Sequence, residues 1–171
     1  LIEEHKQEWE RLREMQKDER ESLREQMKQR YEEARDTYKE KREQMGDARD
    51  ELRTCRNDSN KTCKQARAKV NSEVKPFLLN SAEMVIKALN RVKAEVLAND
   101  DLNETAKEEL IARINEEIAK VKAVKENASA INASTNLSQV RAWAEALRET
   151  WQESRPVLKE SVGHVINARL G

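Results

Sequence analysis

Six asparagines of this chain stand in Asn-x-Ser/Thr triplets, in which the side-chain amide nitrogen accepts an N-linked oligosaccharide. With twelve asparagines, nine serines and six threonines among 171 residues, chance gives about one such triplet. Because an acceptor asparagine has to be at the surface of an exported protein, the excess predicts an extracellular or cell-surface glycoprotein. The predicted acceptors are Asn57, Asn60, Asn103, Asn127, Asn132 and Asn136.

The triplets have a second interpretation, because asparagine and serine also cap helices and form turns. All six fall at predicted turns or helix ends, as capping would require. A cap does not need a hydroxyl residue two positions later, however. The number of triplets therefore favours glycosylation over capping alone.

The second feature that could carry out chemistry is the pair of cysteines, Cys55 and Cys63. On one continuous helix they would be about 12 Å apart along the axis, too far for a disulfide, whereas a turn over 57–61 would bring them face to face. An even number of cysteines in an exported protein indicates pairing. We favour an intrachain disulfide, with an interchain disulfide between parallel helices and free thiols as alternatives.

Residue types that carry out catalysis are scarce. The two histidines, His5 and His164, stand at opposite ends of the chain. Neither follows a glutamate by three residues, which is the pattern of carboxylate-bridged di-metal bundles. The three glycines are too far apart to form a phosphate-binding loop. The sequence therefore predicts a protein that is not an enzyme and that uses no cofactor and no metal.

The composition predicts an all-α protein. Charged residues make up 39% of the chain and aromatic residues 4%, with 3 Gly and 2 Pro; helix formers dominate, and residues typical of strands are few. The 33 basic and 33 acidic residues cancel and are interspersed, unlike the basic face of a nucleic-acid-binding protein. No stretch approaches the ~20 apolar residues of a membrane span. We therefore expect neither a nucleic-acid partner nor a membrane span.

Apolar residues at 3-4 spacing predict four helices. The first, over residues 1–56, is long and highly charged, and its thin apolar seam is like that of a coiled coil, although Gln16 and Glu19 occupy seam positions. A turn over 57–61 follows. Residues 62–171 then form a bundle on which the first helix packs, with three helices at about 62–98, 103–128 and 137–169.

Short connections favour antiparallel neighbours. We therefore expect an antiparallel helical bundle of about four helices, with the long N-terminal coiled-coil-like helix extending beyond it. The main alternative is one unbroken helix over 1–98. Pro76 and Pro156 fall inside predicted helices, where we expect kinks or a split. In an up-down-up-down bundle five of the six acceptors would cluster at one pole, with Asn103 at the other.

Aromatic side chains are the best candidates for contacts with a partner, since they dominate both core and interface burial. Trp143 and Trp151 are eight residues apart and share roughly one side of the last helix. Packing inside the bundle is the favoured interpretation for this pair. The possible partner contacts are Trp9, Tyr31, Tyr38, Trp143 and Trp151.

The Asn/Ser/Ala-rich tract NASAINASTNLSQV leads into the helical segment RAWAEALRETWQESRPVLKESV. In composition this region resembles exported, N-glycosylated helical cell-surface proteins of archaea. The resemblance implies an exported location with N-glycans, and it transfers no functional residues.

Three functions fit these observations. The first is an extracellular or cell-surface structural or scaffold protein that self-associates through coiled-coil contacts of residues 1–56. Its partner would be a second copy or another cell-surface protein, and glycans would sit at the helix turns. The second is a surface or periplasmic-type helical binding module, similar to a chaperone or adhesin. The third is an intracellular coiled-coil adaptor in which the triplets are coincidental.

Overall fold

The computed structural model describes residues 2–55, 62–132 and 135–170. Its elements are five helices: α1 (Ile2–Glu14), α2 (Lys17–Cys55), α3 (Thr62–Leu97), α4 (Glu104–Ser129) and α5 (Leu137–Leu170). The prediction of an all-α bundle with a long N-terminal helix is confirmed. The bounds of α3, α4 and α5 lie within one residue of the predicted ones. The predicted turn over 57–61 lies outside the described residues.

The predicted first helix is divided in two at Met15 and Gln16. The Gln16 backbone N–H donates to the Glu19 carboxylate at 2.9 Å, as in one half of a capping box. The Arg20 guanidinium donates to the carbonyl oxygens of Met15 and Arg13, each at 3.0 Å. These side chains satisfy backbone groups that helix ends leave unpaired. One continuous helix over this stretch was therefore the wrong prediction.

Helices α2 and α3 form an antiparallel hairpin, which excludes an unbroken helix over 1–98. Contacts along the two helices follow in opposite order: Glu51 with Lys69, Tyr38 with Phe77, Tyr31 with Arg91, and Arg24 with Glu95. At the end of the hairpin, the Cα atoms of Cys55 and Cys63 are 5.3 Å apart, so the two cysteines are at disulfide distance.

Helix α3 is central and packs against α2, α4 and α5. Helix α4 is antiparallel to it, with Lys125 bonded to Glu83 near one end and Lys93 bonded to Asn115 further along. The apolar stripe of α4 is buried against α3 and α5, as its sequence predicts. Both α3 and α5 continue through their prolines, so neither helix is split there.

Helix α1 folds back onto the bundle instead of projecting beyond it. Trp9 and Leu12 are 7% and 3% exposed and belong to the core. Glu8 accepts hydrogen bonds from Lys93 of α3 at 2.5 Å and from Asn115 of α4 at 2.8 Å. Burial raises the pKa of Glu8, but the hydrogen bond and charge of Lys93, with the Asn115 amide, outweigh burial and leave the pKa below its ordinary 4.5.

Within the described ranges, no helix combines the length and the apolar character that crossing a membrane requires.

Candidate functional site

A groove lies between α2 and α5, with α3 as its floor, and encloses a cavity of about 990 Å³. Its apolar lining comes from all three helices: Met45 and Leu52 of α2, Val70, Val74, Phe77 and Leu78 of α3, and Val140 and Ala144 of α5. We call it the arginine groove because the charged residues that line it are Arg42, Arg49, Arg67 and Arg141. Among its described lining residues there is no carboxylate.

The spacing in α2 places a basic row beside an apolar row. Arg42 and Arg49 are seven residues apart, as are Met45 and Leu52, so each pair is repeated on one helix face at about 10.5 Å. Arg141 stands on the opposite wall. The groove is therefore apolar at its floor and positively charged on both sides.

The four arginines of the groove are exposed. Within the part of the chain that the structure describes, none of them forms an ion pair or a hydrogen bond. Arg113 of α4 shows the contrast, since it donates to both carboxylate oxygens of Glu160 at 2.6 and 2.7 Å. That hydrogen bond and the charge of Arg113 lower the pKa of Glu160. The groove thus holds four guanidinium groups that are not bonded to any carboxylate of the described residues, although Asp50 lines an adjoining depression together with Arg49 and Arg141.

A second depression, of about 460 Å³, lies further along the same three helices. We call it the Val162 depression. Val162 and Ile166 are 41% and 50% exposed, and they are the large hydrophobic residues that the described chain leaves exposed. Its other lining side chains include Tyr31, Val92, Trp151 and Leu158. An apolar surface left open in this way is typical of an interaction site.

The arginine groove and the Val162 depression are lined by the same face of α5. Ala144 of α5 lines the first, and Trp151, Leu158 and Val165 follow it at seven-residue steps in the second. We refer to the two together as the α2–α5 flank. Arg67 and Glu95, at its two ends, are 28 residues apart in α3, which is roughly 42 Å at 1.5 Å per residue.

The aromatic residues proposed from the sequence as partner contacts are in different environments. Trp9 is buried in the core, so its indole is not accessible in the folded chain and that proposal needs correction. Tyr38 stacks on Phe77 with ring centroids 6.1 Å apart, and Tyr31 lies 5.4 Å beneath the Arg91 guanidinium. The other two predicted partner-contact residues, Trp143 and Trp151, are half-buried against the core.

Four of the six predicted glycan acceptors lie in the described residues, and all four are exposed: Asn103, Asn127, Asn132 and Asn136. Asn103 caps α4, since its Oδ1 accepts from Ala106 N at 2.8 Å, and the Asn136 Oδ1 accepts from Gln139 N at 2.8 Å. Both caps use Oδ1, not the Nδ2 atom to which a glycan attaches. The remaining two acceptors, Asn57 and Asn60, lie outside the described residues.

The connection between α4 and α5 lies near the start of α3. Lys75 of α3 donates to the Ile131 carbonyl oxygen at 3.1 Å. Val140, in the first turn of α5, lines the same groove as Cys63. The connection, with Asn132 and Asn136, therefore lies beside residues 68–76 of α3, in the half of that helix that begins at Thr62.

Groups that could hold a metal ion are not found among the described side chains. His164 lies beside Glu160, with Nε2 at 4.0 Å from the carboxylate, on an exposed helix surface.

No protein-family model, no curated protein and no solved structure matches this chain.

Sequence reasoning missed the arginine groove, although a signal was present. Arg42, Arg49 and Arg67 have no carboxylate three or four residues away in either direction, so none of them can form a pair along its own helix. Arg141 has Glu145 four residues later, but Glu145 is bonded to Arg148 in the structure. The overall charge of the chain is balanced and therefore gives no indication that these four arginines line one groove.

Proposed function

We propose that this chain is an exported, non-enzymatic helical binding module that holds a segment of another protein along its α2–α5 flank. The observation that carries the proposal is the set of four arginines, bonded to none of the described residues, beside an open apolar floor. Unpaired guanidinium groups next to apolar surface suit a partner that supplies both carboxylates and apolar side chains.

Export is supported by the number of acceptor triplets and by the cysteine pair at disulfide distance, since disulfides persist in oxidising compartments. Glycans at Asn103 and Asn127 would extend from the start and end of α4. The described lining of the α2–α5 flank contains no residue of α4. Sugars at these two positions would therefore leave the proposed binding surface accessible.

A self-associating scaffold is the second candidate function. It is favoured by the exposed Val162 and Ile166, which a second copy could cover. The predicted seam of the first helix supports it less, because Tyr31 and Tyr38 are engaged with α3 of the same chain. Sedimentation of the purified chain separates the two functions, since the scaffold requires stable oligomers and the binding module does not.

The binding function is tested by a photo-crosslinking amino acid placed at Ala144, in the arginine groove, in the native host. The matched control places it at Lys122, which is exposed on α4. We expect one discrete protein adduct from position 144 and none from position 122. Equal labelling from both positions, or none from either, would contradict the proposal.

Export is tested by the intact mass of native material. We expect a mass above that of the polypeptide, from sugars, and a gain of two hydrogens on reduction of the cysteine pair. A bare polypeptide mass with free thiols would favour the intracellular adaptor instead.

A further inference from the structure

We infer that the α2–α5 flank is a receptor for one amphipathic helix of a partner protein, with carboxylates flanking the apolar stripe in the part that fills the arginine groove. This inference rests on the proposed function and names the class of partner. It is carried by the dimensions of the flank, by its repeat and by its charge.

The dimensions and the repeat indicate a helix. The two depressions together span roughly 42 Å of α3, from Arg67 to Glu95, which is the length of a helix of about 28 residues, and the stretch of α3 between Leu78 and Ala88 lines neither of them. The walls of the flank are helices that present apolar side chains at seven-residue steps, namely Met45 and Leu52 on α2 and the series beginning at Ala144 on α5. Helices pack side by side by inserting side chains into such repeats. A helix seated there would complete a bundle with α2, α3 and α5.

The charge indicates acidic residues beside the apolar stripe. Arg42 and Arg49 stand on one wall, Arg141 stands on the other, and Arg67 stands at the end of the floor. In coiled coils, charged residues on both sides of the apolar seam pair with opposite charges on the facing helix and so select the partner. Glutamates at these flanking positions would meet guanidinium groups that have no partner from the described chain.

The two ends of the flank differ, and the difference determines which half of the bound helix lies in each depression. The four arginines lie in the arginine groove, whereas the exposed Val162 and Ile166 lie at the other end. We therefore expect the partner helix to carry its carboxylates in one half and to be mainly apolar on its buried face in the other. Such a polarised sequence binds in one orientation only.

An anionic lipid fits these observations less well. A single headgroup presents one anionic centre, but the guanidinium groups are distributed over three helices and along two turns of α2. A second copy of this chain also fits less well. Its longest segment without lysine or arginine, residues 126–140, contains one carboxylate, Glu126.

The test uses synthetic 28-residue helical peptides and the full chain. The acidic peptide has leucine and isoleucine at the seam positions, with glutamate at the flanking positions of its first two heptads and glutamine in the rest. The basic peptide replaces each glutamate by lysine. Fluorescence anisotropy of labelled peptide measures binding, and circular dichroism reports whether the peptide becomes helical.

We expect the acidic peptide to bind and the basic peptide to bind at least about tenfold more weakly. The double variant R42E/R49E should lose about tenfold or more in affinity for the acidic peptide. The matched control R11E/K122E makes the same change in net charge at two exposed residues of α1 and α4, helices that supply no described lining residue of the flank, and should change affinity less than about twofold.

A steric variant checks the site without changing its charge. A Cβ atom added at Gly46, in the wall of the groove, would meet no atom within 4 Å. Gly46→Leu therefore places an isobutyl group into the groove, and should weaken peptide binding while the thermal unfolding of the free chain is retained or raised.

Three outcomes would overturn the inference: equal binding of the two peptides, an unchanged affinity of R42E/R49E, or saturable binding of oleate or of phosphatidylglycerol vesicles in place of the peptide. A dimer in sedimentation that R42E/R49E dissociates would assign the flank to a second copy. If no peptide binds but the crosslinker at position 144 captures one protein, the proposed binding function stands and the acidic helix is excluded as its partner. If no peptide binds and the crosslinker captures no protein, the proposed binding function is contradicted as well.

Discussion

Two flanks of this bundle offer similar surfaces, and the chain itself covers one of them. On the first, which we call the α1 flank, helix α1 lies across α3 and α4 and buries Trp9 and Leu12. Its Glu8 carboxylate bonds to Lys93. On the α2–α5 flank, the apolar side chains and the cations are present, and no helix of the described residues covers them.

The difference shows how this fold closes a groove. The α1 flank combines an apolar anchor with one carboxylate that neutralises a cation at the groove edge, because a half-buried Lys93 without a partner would be costly. The α2–α5 flank avoids that cost by keeping its arginines in solvent. A partner helix would bury them, and it would therefore have to bring carboxylates, as α1 brings Glu8.

The largest effect is expected from removing the anchor of the covered flank. Trp9→Ala should lower the free energy of unfolding by about 3–5 kcal/mol, up to the whole contribution of α1, because it empties a buried site. Urea denaturation followed by circular dichroism measures the change. Gln7→Ala, at an exposed position of the same helix, is the control and should have little effect. Equal stabilities of the two variants would mean that α1 is not docked.

The next largest effect is expected from the cysteine pair of the α2–α3 hairpin, which lines the α2–α5 flank. Cys55→Ala with Cys63→Ala should lower stability by roughly 2–3 kcal/mol, because an eight-residue separation gives a short loop. Urea denaturation of the oxidised chain, the reduced chain and the double variant measures it. The reduced chain and the double variant should agree closely. If reductant leaves the free energy of unfolding of the wild-type chain unchanged, the cysteines are not paired.

A smaller effect is expected from the carboxylate that bridges α3 and α4. Glu8→Gln should cost about 1–3 kcal/mol at neutral pH, because Lys93 loses its charged acceptor. The folded pKa of Glu8 is below 4.5, so its stabilisation is present above pH 4.5 and is lost as the pH falls through the folded pKa. The difference between wild type and variant should therefore vanish in acid. The control is Glu10→Gln, at an exposed position. A difference that persists in acid would contradict the assignment.

The smallest effect on stability is expected at Gly46, in the wall of the α2–α5 flank. Gly46 lies inside α2, and a methyl group there would meet no atom within 4 Å. Gly46→Ala should therefore raise the free energy of unfolding by about 0.5–1 kcal/mol through helix propensity alone. Urea denaturation checks it. A destabilised variant would mean that the wall of the groove is more closely packed than its geometry indicates.

Local patterns in the sequence are enough to predict α3, α4 and α5. The buried stripe of α4 and the ends of α3 and α5 follow from apolar spacing and from turn residues, which act over a few positions. The break at Met15 and Gln16 was missed because it depends on Arg20 reaching back to two carbonyl groups. Its visible sign in the sequence is the presence of Gln16 and Glu19 at seam positions.

The candidate site could be predicted only in part, because it is assembled from three helices. The sequence shows that Arg42, Arg49 and Arg67 lack carboxylates at helical spacing, but it does not show that Arg141 faces the same groove. That convergence follows from the packing of α2 and α5 on α3. Trp9 was misassigned for a related reason, since only the fold-back of α1 buries it.

The most direct measurement of the central claim is the affinity of the acidic 28-residue peptide for the wild-type chain and for R42E/R49E, at low and at high salt. Wild-type binding should be saturable, should weaken as salt is raised, and should fall about tenfold or more in the variant. An affinity that is the same for both proteins at low salt would contradict the assignment of the arginine groove as a binding site for an acidic helix.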